Sequence, residues 1–418
     1  MKVAIIGGGA AGMLAAISAS KNLKNEVILI EKNEKLGKKL FISGKGRCNA
    51  TNDCDKTEFF NNIVRNPKFL YSSFSIFSNQ DFKKLITENG CKLKVERGKR
   101  VFPVSDKSSD VISALKNAIK KKNVTIKLDT IVKKISKKDD LFILETNNGK
   151  ITSDRVIVAT GGLSYPSTGS TGDGYKFAKN FDIDVKPQSP SLVPFNVKEI
   201  NECKEMQGLA LKNVSIKVCS ENDVKKILYE DFGEMLFTHF GLSGPVVLSA
   251  SCYVEFEGKD RYVISIDLKP ALDEKTLDAR LMREFETNKN KNLKSIIVNL
   301  LPSSMVDVFI DRLCRKMSNF AMAEIKASEV TKEIRKEIVS LLKDFRFTLI
   351  SKRDFDEAII TRGGVDVKEI DPKTMESKKI KGLYFAGEVL DIDAMTGGFN
   401  IQIAATTGYV AGINASLM

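Results

Sequence analysis

Two rhythms of apolar residues run through this chain. Short uninterrupted runs, Val3-Ala4-Ile5-Ile6 and Val27-Ile28-Leu29-Ile30, read as strands buried on both faces. The apolar stretch between them, residues 13–20, has helical length, so residues 1–40 predict a first β-α-β unit. Residues 41–110 look irregular apart from a helix near 81–89. A helix over 110–121 leads into a strand over 124–127. Strict alternation follows over 131–135 and 141–146, closed by the turn Asn147-Asn148-Gly149. The run 151–160 then enters Gly161-Gly162 as one returning strand.

Pro187, Pro190 and Pro194 mark a domain exit near 186–195. From 195 to 269 the pattern alternates, with strands expected over 214–218, 226–230, 254–257 and 262–268. From 273 to 345 the period becomes helical. Asp273 opens one helix and Pro302-Ser303-Ser304 a second. A third, over 329–345, puts Val330, Ile334, Ile338 and Leu341 on one face. These stripes read as core. Strands return at 347–350 and 357–361, and the chain ends in a strand, Gly382 to Glu388, and a helix over 403–416. The organisation expected is 1–190 and 347–418 as one discontinuous domain, with a β-rich insert over 191–270 and a helical insert over 271–346.

The first β-α-β unit carries chemistry. Gly7, Gly9 and Gly12 have the G-x-G-x-x-G spacing directly after a strand, and Glu31 ends the second strand about twenty residues on. Gly7 permits the tight turn, Gly9 lets a pyrophosphate approach the backbone, and Gly12 lets the helix pack against the strand. Ala11 lies in the same turn. The helix N-terminus offers unpaired N–H groups to phosphate, and Glu31 offers a carboxylate to a ribose hydroxyl. Near the C-terminus, Tyr384-Phe385-Ala386-Gly387-Glu388 precedes Asp391, Asp393 and Thr396-Gly397-Gly398-Phe399-Asn400-Ile401-Gln402. A late strand ending in Gly-Glu before a helix resembles that of the FAD-binding superfamily, and the resemblance implies that the acid meets the ribityl chain and the helix N-terminus faces the flavin pyrimidine, where reduction places negative charge. No second fingerprint of this kind follows a strand, so a separate nicotinamide domain is not expected; NAD(P)H, if it is the donor, binds transiently.

Composition adds limits. Among 418 residues, 42% are hydrophobic and 24 are Phe, enough for real cores. The seven cysteines form no C-x-x-C pair, which points away from zinc sites and disulfide frameworks and towards reduced thiols. No metal site is expected. The net charge of +13 is spread along the chain as lysines, which argues for solvated faces over nucleic-acid binding. A secretory reading of residues 1–20 conflicts with the glycine cluster in its middle, and no run reaches membrane-spanning length. A cytoplasmic protein with a small-molecule substrate and no membrane partner is expected.

Further blocks carry a family resemblance: Ser43-Gly44-Lys45-Gly46-Arg47-Cys48-Asn49 to Thr51-Asn52; Arg100-Val101-Phe102-Pro103; Ala159-Thr160-Gly161-Gly162 through Tyr165-Pro166 to Gly172-Asp173-Gly174; Thr238-His239-Phe240-Gly241; and Arg362-Gly363-Gly364-Val365. With the two ends, they resemble the BaiN-like flavoproteins, also called the aminoacetone oxidase family. The resemblance implies an α/β fold: a discontinuous Rossmann-like FAD-binding domain with an inserted β-barrel-like domain and a small helical domain. The expected cofactor contacts are Gly7, Gly9, Ala11, Gly12, Glu31, Lys38, Lys39, Gly44, Gly46, Arg47, Cys48, Asn49, Val132, Thr160, Gly161, Gly162, Gly387, Glu388, Gly398, Phe399, Asn400 and Ile401. His239, the one histidine, and Tyr165 are the candidate proton donors. The activity implied is hydride transfer between flavin N5 and a small or apolar organic substrate. NAD(P)H-dependent reduction of an activated C=C bond, as in a bile-acid enone, leads. Oxidation of an aminoacetone-type amine by oxygen is the alternative. FAD together with the positive charge motivates a third reading, an RNA-binding flavoprotein.

Overall fold

Residues 1–256, 261–319 and 321–417 are described by the computed structural model, the side chain of Val224 excepted. The apolar runs become a five-stranded parallel sheet. Its strands are β1 (Lys2–Ile6), β2 (Glu26–Ile30), β3 (Val124–Lys127), β4 (Arg155–Val158) and β5 (Leu383–Phe385), in the order β5-β4-β1-β2-β3. The central strands are buried on both faces, which is why they read as continuous rather than alternating. Helix α1 (Ala10–Ala19) is buried along almost its whole length. The C-terminal helix α2 (Phe399–Ala415) packs on it, closely because Gly408 and Gly412 have no side chains: a Cβ on Gly408 would sit 2.2 Å from the Ala11 carbonyl oxygen.

These strands and helices belong to one compact unit, Met1–Leu192 with Asp354–Met418; Val193–Arg353 forms a second. In the second unit six strands close a barrel, in the order Phe195–Val197, Gly241–Ser243, Asp223–Thr238, Ala210–Ser220, Tyr262–Asp267 and Phe345–Lys352, the last pairing back to the first. Helices Glu274–Thr287, Ser303–Met317 and Lys332–Lys343 follow the expected stripes, except that Val330 precedes the last of them, and the side chains of Asp273 and Thr331 cap two of them.

Several expectations need correction. The strand at 345–352 is a barrel stave, so the chain returns to the first unit at Asp354 and not at 347. The run 151–160 is two strands. Gly149–Ser153 closes an antiparallel meander, and the chain then turns at Asp154 into β4. Ser153 Oγ and the Asp154 carboxylate accept from the Ala4 and Lys2 N–H groups at that corner (3.0 and 2.6 Å). Val254–Phe256 is not a strand, and Glu257 lies outside the described residues. Residues 41–110 are not mainly irregular: Thr51–Asn52, Arg100–Pro103 and Leu93–Glu96 form a small antiparallel sheet.

Candidate cofactor site

A cavity of about 1380 Å³, counted to its open mouth, lies in the first unit. Its floor is the C-terminal edge of the parallel sheet, where strand ends hand over to loops. Ile6 through Ala11, Ile30 through Asn33 and Thr130 through Val132 line one stretch. Ala386-Gly387-Glu388, Ile392, Asn400 and Ile401 line another, with Ala159-Thr160-Gly161 between. This is where α/β sheets bind ligands.

Gly7 and Gly12 do what their spacing predicts. Gly7 has φ +106°, and a Cβ there would lie 2.4 Å from the Ala159 carbonyl oxygen. A Cβ on Gly12 would lie 1.8 Å from the Gly7 carbonyl oxygen, so only glycine lets α1 sit this close to β1. At Gly9 a Cβ meets no protein atom. Gly9 caps α1 without a side-chain hydrogen bond, and no acid stands in the first turn. Gly398 caps α2 in the same bare way. Two helix N-termini, each with unpaired first-turn N–H groups and a positive dipole end, therefore border one cavity.

Glu31 is buried, and its two oxygens are fixed by the backbone. Oε2 accepts from Gly8 N–H (2.6 Å); Oε1 accepts from Asn33 N–H (2.8 Å) and Asn33 Nδ2 (2.6 Å). At the other stretch, Glu388 is held by Lys39 Nζ (2.6 Å), Ser164 Oγ (2.7 Å) and Thr361 N–H (2.9 Å). Lys39 also donates to Ser164 Oγ. The Thr160 hydroxyl, buried on the cavity wall, has no protein partner. A buried hydroxyl, two uncapped helix ends and a glycine-walled approach fit a dinucleotide with its phosphates near α1 and a ring system near α2. These are the residues that would hold FAD.

Of the expected contacts, Gly7, Gly9, Ala11, Glu31, Lys38, Lys39, Val132, Thr160, Gly161, Gly387, Glu388, Asn400 and Ile401 line the cavity. Gly12, Gly162, Gly398 and Phe399 stand behind its wall. The Ser43–Asn52 block acts differently from expectation. Arg47 pairs with Glu96 (2.5 Å) and Asp106 and lies 4.1 Å from the Phe102 ring. Gly44 and Gly46 shape the turn at positive φ and do not line the cavity. Cys48 is fully buried, and that burial pushes its thiol up to about 12, against a smaller opposing hydrogen bond from Ser43. It is a packing residue. Asn49 likewise stands outside the wall. The block's end clamps the start of α2: Asn52 Nδ2 donates to the Gly397 carbonyl (3.0 Å) and Thr51 Oγ1 to Gln402 Oε1 (2.7 Å).

Tyr165 is half-buried at φ +52° and stands outside the cavity wall. Burial, then Glu357, holds its hydroxyl above the usual range. His239 is exposed on the second unit, in the turn between Asp223–Thr238 and Gly241–Ser243, edge-on to Phe240. Sequence reasoning missed Lys32, Asn33, Asp173 and the loop Thr168-Gly169-Ser170. Lys32 Nζ bonds Asp173 (2.8 Å), and Asn33 Nδ2 bonds the Thr168 carbonyl (3.0 Å), which fastens that loop over Glu31. The quoted Gly172-Asp173-Gly174 block was the available signal.

A family model described as the HI0933-like protein Rossmann domain matches residues 1–414. The chain belongs to the HI0933-like family. Members are FAD-dependent oxidoreductases, as this chain is, and the family contains the flavoproteins that the motifs resemble. Two relatives are named ribosomal RNA dihydrouridine synthase. The one from Haemophilus influenzae is 31% identical, covering 99% of this chain and 98% of its own. The one from Escherichia coli is also 31% identical, covering 97% and 95%. A 3-dehydro-bile acid delta(4,6)-reductase from Clostridium scindens is 29% identical, covering 98% of each chain. Among the described residues no helix is long and apolar enough to cross a membrane, and no cluster of potential metal ligands occurs.

Proposed function

We propose that this member of the HI0933-like family reduces a C=C bond conjugated to a carbonyl, with NAD(P)H as the source of electrons and the C5=C6 bond of uridine in ribosomal RNA as the substrate. The observation that carries the reaction class is the cavity with a bare helix N-terminus and the Lys39–Glu388 pair at one end and the Gly7–Gly12 turn with Glu31 at the other. The relatives' names support it further. Dihydrouridine formation and bile-acid enone reduction are one reaction chemically: hydride adds to the carbon β to a carbonyl and a proton to the α carbon. Two of the three names specify ribosomal RNA at higher identity, and a net charge of +13 suits a polyanion. The expectation of a small-molecule partner over nucleic acid, drawn from the spread of lysines along the chain, is therefore set aside in this reading.

When bound, FAD supplies a two-electron carrier of hydride. The protein's residues supply binding and electrostatics. Gly7, Gly9 and the first turn of α1 receive phosphate, and Glu31 accepts from a ribose hydroxyl. The first turn of α2 places unpaired N–H groups where negative charge develops on reduction. Lys39 holds a positive charge beside that end, with Ser164 and Thr361 fixing Glu388. Ile359, Ile360, Ile392 and Ile401 make part of the wall apolar. Reduction of a bile-acid-like enone is the second reading, on the C. scindens relative. Incubating the holoprotein and NADPH with ribosomal RNA lacking dihydrouridine tests the proposal: nucleoside mass spectrometry should find dihydrouridine. Its absence, with turnover of a steroid enone, would favour the second reading.

A further inference from the structure

We propose that residues 32–47 and 92–107 form the face on which the RNA strand docks, beside the mouth of the cofactor cavity. The inference rests on the reading that the substrate is a uridine in RNA. These 32 positions hold twelve lysines and arginines against three acids, a net charge of +9 out of the chain's +13. The remaining 386 residues sum to +4, although a second basic stretch, residues 116–138, holds nine lysines against one acid.

The two segments are tied together. Ser108 Oγ, just past the second, donates to the Phe41 carbonyl (2.7 Å), and Arg47 reaches across to Glu96 and Asp106. Lys94 pairs with the same two acids. Arg47 and Lys94 thus neutralise Glu96 and Asp106, whose carboxyls are held below their usual range by these partners. What is left is positive. Lys45, Lys92, Arg97, Arg100 and Lys107 are exposed and have no acidic partner among the described residues. Phe41, Val95 and Val104 lie among them, each about half exposed (50%, 51% and 53%). An aromatic ring and apolar side chains set among unpaired cations suit sugar and base contacts flanked by phosphate contacts. The face adjoins the site, since Lys39, Leu40 and Ser43 of the first segment line the cavity. A lipid surface is the poorer match. The helix here, Lys38–Ile42, has five residues and offers no extended amphipathic face to a bilayer.

The test is fluorescence anisotropy of a labelled ribosomal RNA transcript with the FAD-loaded protein over a salt series. Three proteins are compared: the parent; an Arg97→Gln/Arg100→Gln/Lys107→Gln variant; and a control, Lys133→Gln/Lys134→Gln/Lys138→Gln, with three exposed cations on the meander. Flavin absorbance and the rate of its bleaching by NADPH confirm that each is folded and loaded. The face variant should bind more than about tenfold more weakly at low salt, with a salt slope shallower by about 2–3, while the control follows the parent. Parent binding that the face variant leaves unchanged, or that the control weakens equally, would overturn the docking face and leave the RNA substrate standing. A parent that shows no salt-sensitive RNA binding, or binds anionic phosphatidylserine vesicles and not RNA, would overturn both.

Discussion

Replacing Glu31 with glutamine removes one oxygen acceptor while keeping the side chain's shape. In the parent, Oε2 takes Gly8 N–H at 2.6 Å, and Oε1 takes Asn33 N–H and Asn33 Nδ2 at 2.8 and 2.6 Å. The amide has one carbonyl oxygen. It serves either Gly8 or Asn33, and its NH2 group then confronts donors on the other side. A buried N–H left unpartnered costs about 1–3 kcal/mol. The charge-assisted bond to the ribose is also reduced to a neutral one, a loss of about 1–2 kcal/mol. The first cost is present with and without FAD and lowers stability; the second falls on binding, so at about 1.4 kcal/mol per decade FAD should bind roughly 5- to 30-fold more weakly. Titrating apoprotein with FAD and following the quenching of flavin fluorescence measures this directly. An affinity indistinguishable from the parent's would refute the assignment of Glu31 to the ribose and of this end of the cavity to the adenosine.

Three more predictions follow from the same geometry. Gly408→Ala drives a methyl into the Ala11 carbonyl and should lower stability by about 1–3 kcal/mol, read as a lower thermal midpoint and weaker FAD retention; an unchanged midpoint would contradict the close packing of α2 on α1. Removing the cation in Lys39→Met should make the bound flavin's potential more negative, and removing the anion in Glu388→Gln should make it more positive, by about 30 mV for each 1.4 kcal/mol. Shifts of the same sign in dye-equilibration measurements would show that the pair does not face the flavin. All seven cysteines are buried, and with its thiol pushed up to about 12 Cys48 is essentially all thiol at neutral pH. It should resist iodoacetamide in the native protein and react after denaturation; rapid native labelling at Cys48 would count against its packing role.

The parts of the site that were readable in sequence are those where backbone geometry demands one residue type. Gly7 and Gly12 stand within 2.4 Å and 1.8 Å of carbonyl oxygens for any Cβ, so their spacing encodes the fold directly. Glu31 is readable because it ends a buried strand at a known distance from the glycines. Contacts made between remote segments were not readable. Lys32 meets Asp173 and Lys39 meets Glu388 only after the sheet brings the ends of β2, β4 and β5 together. Short-range composition also left protein partners unread. The glycines and cations of residues 43–47 suggested phosphate contacts, whereas Arg47 answers Glu96 and Asp106, and the neighbouring Thr51 and Asn52 hold the start of α2. Strand limits failed where the chain changes sheet without a break in its apolar run, as at Ser153 to Arg155.

An anaerobic titration of the purified protein, recorded by flavin absorbance, tests whether electrons pass from nicotinamide through FAD to uridine. NADPH or NADH is added first, then ribosomal RNA lacking dihydrouridine. The bound flavin should bleach on nicotinamide addition and regain its colour, without oxygen, when the RNA is added. A protein that carries no flavin and takes up none from added FAD, or a reduced flavin that neither RNA nor an enone reoxidises, would contradict it.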